Sequence, residues 1–192
     1  VTVPAEPFAT LAEWLPDPSS GDTPVMTLST IGLDGYPAAR TVLLSRFDGR
    51  RLHFHTDADS RKVAELTATP RATVTLLWPE AARQLVVTGD VTRVSGAEAR
   101  TAYRDRSRYL QVLAWLNDHD LAALGADERR TRWADFEREH AGLPLEPPPG
   151  WAGFAIDPVR VSSWRGATDA PSNRVVHERR ADGGWSVTSR AG

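Results

Sequence analysis

Two Asp-Gly pairs, Asp34-Gly35 and Asp48-Gly49, sit between runs in which apolar and small polar residues alternate, and this confines the first third of the chain to an antiparallel meander. Val25-Met26-Thr27-Leu28-Ser29-Thr30-Ile31 leads into the first pair, Arg40-Thr41-Val42-Leu43-Leu44 returns from it, and the second pair opens onto Leu52-His53-Phe54-His55-Thr56. Parallel pairing would need a crossover of a dozen or more residues between strands, and the gaps here are only turns.

The remainder keeps the same economy. Residues 7–15 have helical spacing, with Phe8, Leu11 and Leu15 on one face, and Pro16 to Pro24 is a breaker-rich loop. Residues 60–69 are predicted as a helix ending before Pro70. Strands follow at Ala72 to Trp78 and Gln84 to Val94, then helices at Ala97 to Arg106, Tyr109 to Leu116 and Asp127 to His140. After the Pro-rich linker Pro144 to Gly150, β patterning returns at Trp151 to Ile156, Val159 to Trp164, Arg174 to Arg180 and Trp185 to Ser189. About seven or eight strands with a few helices predict a mainly β fold, an antiparallel β-barrel with peripheral helices. Residues 1–192 are expected to form a single domain, with 151–192 as its C-terminal β region.

Composition narrows the function. The formal net charge of −2, from 23 basic and 25 acidic residues, argues against a broad nucleic-acid surface. The absence of cysteine removes disulfides, thiolate chemistry and cysteine-ligated metals. No apolar run approaches the roughly 18 residues of a membrane span. Val1 to Pro7 lacks a basic region followed by an apolar stretch, so no signal peptide is expected and a cytoplasmic location is the default. His53 and His55 lie two apart on a strand with no third ligand suggested, and Glu137, Glu139 and His140 lack metalloprotease spacing; no metal site is expected.

The most informative stretch is Asp59-Ser60-Arg61-Lys62. Asp59 or Ser60 suits an N-cap, and two cations follow directly at a helix end that already carries partial positive charge. An anion such as a phosphate would relieve that arrangement; two solvated side chains would equally explain it. Lys62 is the only lysine of the chain. Arg40, inside an otherwise apolar strand, fits either the wet face of a barrel or a third phosphate ligand. Gln84 fits either an exposed position or an amide presented to a heterocycle edge.

The order RTVLL (40–44), HTDADSRK (55–62), RQLVVTGDVTRV (83–94) and WRG…NR (164–174) resembles the pyridoxine/pyridoxamine 5'-phosphate oxidases over nearly the whole chain. The resemblance implies an antiparallel, homodimeric FMN-binding split barrel with FMN at the subunit interface. Arg40, Thr41, Val42 and Leu43 would line the flavin, with His55 and Thr56 standing where the family has Tyr-Thr. Arg61 and Lys62 would hold the FMN phosphate, Gln84 the isoalloxazine, and Trp164 and Arg174 would close the site. A Gln-Ser pair that the partner subunit contributes in the family falls near His119 and Asp120.

The substrate side departs from the family. Ser45 stands for a Lys, Ala102 for the Tyr of the substrate phosphate site (with Tyr103 adjacent), Leu110 for its Ser, and Ala170 and Ser172 for the Arg-x-His pair; Arg106 alone is kept. The resemblance therefore implies an FMN-dependent oxidoreductase on a small substrate other than vitamin B6 phosphate, in the manner of flavin oxidases of specialised metabolism. The alternatives are a true pyridoxamine 5'-phosphate oxidase with altered binding, a reductase using FMN or a deazaflavin, and a non-catalytic flavin-binding dimer.

Overall fold

A computed structural model describes residues 5–16 and 23–192; Val1–Pro4 and residues 17–22, most of the loop expected over Pro16 to Pro24, lie outside the described residues. The elements run α1 (Phe8–Trp14), β1 (Val25–Ile31), β2 (Pro37–Leu43), β3 (Arg46–Phe47), β4 (Leu52–Asp57), α2 (Arg61–Ala68), β5 (Arg71–Trp78) and β6 (Arg83–Arg93). They continue with α3 (Gly96–Arg104), α4 (Arg108–Leu116), α5 (His119–Ala122), α6 (Ala126–Glu139), β7 (Trp151–Arg165), β8 (Asn173–Arg179) and β9 (Trp185–Ala191). Nine strands of the described residues form one sheet in the order β2-β1-β5-β6-β7-β4-β3, with β8 on β7 and β9 on β8. Every pairing whose register is resolved is antiparallel. The Asp-Gly turns form as their composition requires, with Gly35 at φ 84 and Gly49 at φ 92, where a side chain would be strained.

Two compact units share the chain: Val1–Phe54, Ser60–Arg93 and Phe154–Gly192 form the first, and His55–Asp59 with Val94–Gly153 form the second. The core of the first comes from one face of its strands. Met26 and Leu28 of β1, Val74 and Leu76 of β5, Leu85 and Val87 of β6 and Val161 of β7 alternate with more exposed neighbours and are buried. The second unit gathers Tyr103, Val112 and Leu145, with Trp133, Phe136 and Trp151 packed around them. Its helix α3 starts on a reciprocal capping box between Ser95 and Glu98.

The structure differs from the sequence reading in four places. The two strands expected on either side of Pro158 are one continuous strand, β7. Between Thr88 and Gly89 the register shifts from Arg160 to Pro158, leaving Val159 as an extra residue. A bulge is where a strand tolerates a residue without an N–H. The short elements β3 and α5 have no counterpart in the sequence reading, because two and four residues carry too little periodicity. The described residues hold nine strands, against the seven or eight expected: β3 adds one to the segments read from sequence, and the joining of two into β7 removes one.

Gly89 sits where this bulge brings strands closest: a Cβ there would lie 2.8 Å from the Asp157 carbonyl carbon and 2.8 Å from Ile156 Cγ2. Gly89→Ala should therefore lower unfolding stability by roughly 1–3 kcal/mol in urea titrations. Gly96→Ala, where a Cβ meets nothing within 4 Å, should leave it within about 0.5 kcal/mol or raise it slightly.

Candidate functional site

Strand alternation sorts the expected site residues onto opposite faces. Thr41 pairs with Thr27, Thr27 with Thr75, Thr75 with Val86, Val86 with Ser162 and Ser162 with Val176, a row that crosses five neighbouring pairs on one face of the sheet. Two residues along, on that same face, Leu77 pairs with Gln84, Gln84 with Trp164 and Trp164 with Arg174. Leu43, two residues from Thr41, belongs to this face as well. Gln84, Trp164 and Arg174 thus stand side by side, each half-buried. The Nε of Arg174 is buried and has no hydrogen-bond partner, a condition that an incoming acceptor would relieve.

Arg40 and Val42 point to the opposite face, the one that carries Leu28 and Met26. Along β2 the side chains of Arg40 and Val42 therefore lie on one face and those of Thr41 and Leu43 on the other. Arg40 donates through Nη1 to Thr30 Oγ1 (2.5 Å) and through Nη2 to Glu65 Oε2 (2.5 Å). Glu65 lies on α2 and is fully buried. Its Oε2 also accepts from Thr30 Oγ1 at 2.6 Å, and its Oε1 accepts from Arg61 Nε at 2.9 Å. Arg61 Nη2 reaches Asp34 Oδ2 at 3.5 Å.

This cluster amends the electrostatic argument made from sequence. Arg61, the first of the two cations at the head of α2, is answered by carboxylates of the chain itself, Glu65 one helical turn on and Asp34 from the β1–β2 connection. Glu65 was not singled out from sequence, although its place four residues after Arg61 is a recognisable pairing signal. At the head of α2 Ser60 occupies the N-cap without a capping hydrogen bond from its side chain, and no acidic residue lies in the first turn to offset the partial positive charge there. Lys62 is half-buried beside it.

His55 and Thr56 belong to the second unit, where both are half-buried. The His55 ring stacks on Trp151 at 5.2 Å with planes 6° apart, and Gly153 leaves space for it, since a Cβ there would come within 2.7 Å of the imidazole. On the same Trp151 the guanidinium of Arg106 lies 4.7 Å from the ring centroid. Burial lowers the Arg106 guanidinium from its ordinary value, Tyr103 opposing part of that shift. No ion pair of the described residues involves Arg106. Tyr103, the neighbour of Ala102, is fully buried and donates its hydroxyl to Gln111 O at 3.1 Å, so it serves the core of this unit. Leu110 is half-buried near the start of α4. His119 and Asp120 are exposed on α5. In the first unit Ser45 is exposed just after β2, and Ala170 and Ser172 lie in the β7–β8 connection, exposed and half-buried respectively.

Comparison with known proteins adds four findings. The family model described as pyridoxamine 5'-phosphate oxidase matches residues 11–138. A protein of Myxococcus xanthus named pyridoxine/pyridoxamine 5'-phosphate oxidase is 37% identical over 188 residues, covering 96% of this chain and 91% of its own. Among solved structures, PhzG from Burkholderia lata, crystallised with tetrahydrophenazine-1-carboxylic acid, is similar with a TM-score of 0.82 at 25% identity, covering 98% of this chain and 94% of that one. A pyridoxamine 5'-phosphate oxidase-related, FMN-binding protein from Nostoc punctiforme has the same fold, with a TM-score of 0.76 at 20% identity over both full chains. The mainly antiparallel β fold is that of the FMN-binding split-barrel proteins.

Burial pushes the Glu65 carboxyl up, but hydrogen bonds from Thr30 and Arg40, the Arg40 charge and the bond from Arg61 outweigh it and hold the group below its ordinary value. The unfolded chain, with Glu near its usual value of about 4.3, therefore binds the proton first as pH falls, and stability rises with pH across that interval. The contribution is complete above about pH 4.3 and vanishes as pH drops through the lower folded value. Urea midpoints between about pH 6 and pH 3 should fall more steeply for the native chain than for Glu65→Gln; parallel curves would show that Glu65 titrates alike folded and unfolded.

Proposed function

Because the chain belongs to the pyridoxamine 5'-phosphate oxidase family, we propose that it is an FMN-dependent oxidoreductase acting on a small substrate other than vitamin B6 phosphate. The observation that carries the cofactor assignment is the row of Gln84, Trp164 and Arg174, in which a buried Arg174 Nε lacks an acceptor. The residues fit the group. Arg61 and Lys62 at the head of α2, with Arg40, would take the phosphate; Gln84, on the other face of the sheet from Arg40, would meet the heterocycle edge of an FMN shared across the subunit interface, its amide both donating and accepting. When bound, the flavin would accept a hydride from the substrate and pass the two electrons on to oxygen. The chain's part is to bind, orient and exclude water.

The substrate assignment rests on what surrounds Arg106. The family's phosphate-binding Tyr and Ser positions hold Ala102 and Leu110, and the adjacent Tyr103 hydroxyl is committed to Gln111. Each charge-assisted hydrogen bond withheld from a phosphate is worth about 1.5–3 kcal/mol, or roughly 10- to 100-fold in affinity. The likeness to PhzG, which was crystallised with tetrahydrophenazine-1-carboxylic acid, supports a substrate of that breadth. A second reading, a true pyridoxamine 5'-phosphate oxidase, is favoured by the 37% identity to the Myxococcus xanthus protein. Dimerisation through the sheet is part of the proposal: Val25 and Leu77 lie 61% and 57% exposed, and a second copy would cover them. A cytoplasmic location completes it; among the described residues no helix is long and apolar enough to cross a membrane.

Visible-absorption titration should give stoichiometric FMN binding by the native protein, weakened at least about tenfold in Arg61→Ala/Lys62→Ala. The FMN-loaded protein should form no pyridoxal 5'-phosphate from micromolar pyridoxamine 5'-phosphate. Appreciable product would establish the second reading, and no FMN binding by the native protein would overturn both. Analytical ultracentrifugation should report twice the mass of the chain; a monomer would sink the dimer.

A further inference from the structure

Glu65 is an expensive residue in its position. It is fully exposed to the cost of burial, on the inner face of α2 between the buried Val63 and Leu66, where an apolar side chain would pack without desolvating a charge. Its two oxygens are divided between two arginines from different elements: Oε2 holds Arg40 of β2, and Oε1 holds Arg61 of α2. Thr30 of β1 completes the arrangement by donating to Oε2 while accepting from Arg40 Nη1.

Neither guanidinium is used up by these contacts. Arg40 employs Nη1 and Nη2, and Arg61 employs Nε and, at the 3.5 Å limit, Nη2. A guanidinium offers five N–H groups in a rigid fork, so anchoring some of them fixes the direction of the others. Arginine side chains held in this way lose little further rotamer freedom when they meet an anion.

We propose that Glu65 is a positioning residue for a phosphate-bearing ligand: without touching that ligand, it holds Arg40 and Arg61 as a rigid pair beside the head of α2. This rests on the FMN reading above, and it separates from the simplest electrostatic expectation. A buried carboxylate that did nothing but contribute charge would repel a phosphate, so that neutralising it would tighten binding. A carboxylate that positions the arginines does the reverse.

The test compares FMN with riboflavin, which shares the ring system and lacks the phosphate, by quenching of flavin fluorescence. Native protein, Glu65→Gln and Thr30→Val would be titrated with both, alongside thermal melts. Glu65→Gln should weaken FMN by about tenfold or more while riboflavin changes less than about twofold. Thr30→Val, which keeps the side-chain shape and removes the hydroxyl link, should move the FMN-to-riboflavin preference the same way by a smaller factor. A purely structural role would lower both affinities equally and leave the preference intact; that result, or tighter FMN binding by Glu65→Gln, overturns the proposal. If Glu65→Gln does not fold, an unchanged preference in Thr30→Val overturns it. A native protein that does not distinguish FMN from riboflavin removes the phosphate reading itself, whereas a native preference kept by both variants removes only the role of Glu65.

Discussion

A carboxylate cannot be left unpaired in a protein interior, and the pairing of Glu65 organises the head of α2. Removing one partner of such a buried pair typically costs about 3–5 kcal/mol, because the other charge is then stranded. Three elements answer to Glu65 at once: β1 through Thr30, β2 through Arg40 and α2 through Arg61. The helix is short, Arg61–Ala68, and buries only Val63, Glu65 and Leu66. A helix of that length has little stability of its own, so its orientation depends on tertiary contacts such as these.

The opposite face of the sheet follows a different logic. Its rows mix small polar residues, Thr27, Thr41, Thr75 and Ser162, with apolar ones, and the row of Gln84, Trp164 and Arg174 adds amide, indole and guanidinium groups. Antiparallel register turns residues scattered across ninety positions of sequence into immediate neighbours, and a β-strand supplies the stiffness that a loop would lack. The bulge at Gly89 and Val159 lies beyond this row on the same β6–β7 pair, so the ladder is regular where the polar groups need to be aligned.

Much of this was legible because it rests on local chemistry. The Asp-Gly turns, the alternation of β1, β5 and β6, and the helix ending before Pro70 are each set by a few neighbouring residues. What escaped depends on distant partners. Nothing in the neighbourhood of Pro158 announces that Gly89 on another strand will leave space for a bulge. The sequence left Arg40 open between the wet face of a barrel and an anion ligand, and only the pairing with Leu28 shows that it lies on the face that carries Leu28 and Met26. Tyr103 stood next to a position of interest, yet its environment, set by Gln111 and Trp151, makes it a core residue. Glu65 was legible in principle through its spacing from Arg61, but its burial was not, since that depends on β1 and β2.

The second unit carries the sharper chemical contrast. Trp151 is fixed by its own Nε1 donating to Ala99 O at 2.8 Å, and it receives His55 in a near-parallel stack and Arg106 over its ring. A guanidinium held on an aromatic face gains attraction without losing its charge, whereas two that share one carboxylate gain a fixed direction and keep part of their joint charge for a ligand. Arg40 and Arg61 are of the second kind and Arg106 is of the first. The pair that shares Glu65 therefore suits a strongly charged group able to draw on several donors, as a phosphate does. Arg106, with no ion pair among the described residues, keeps its charge on the face of Trp151.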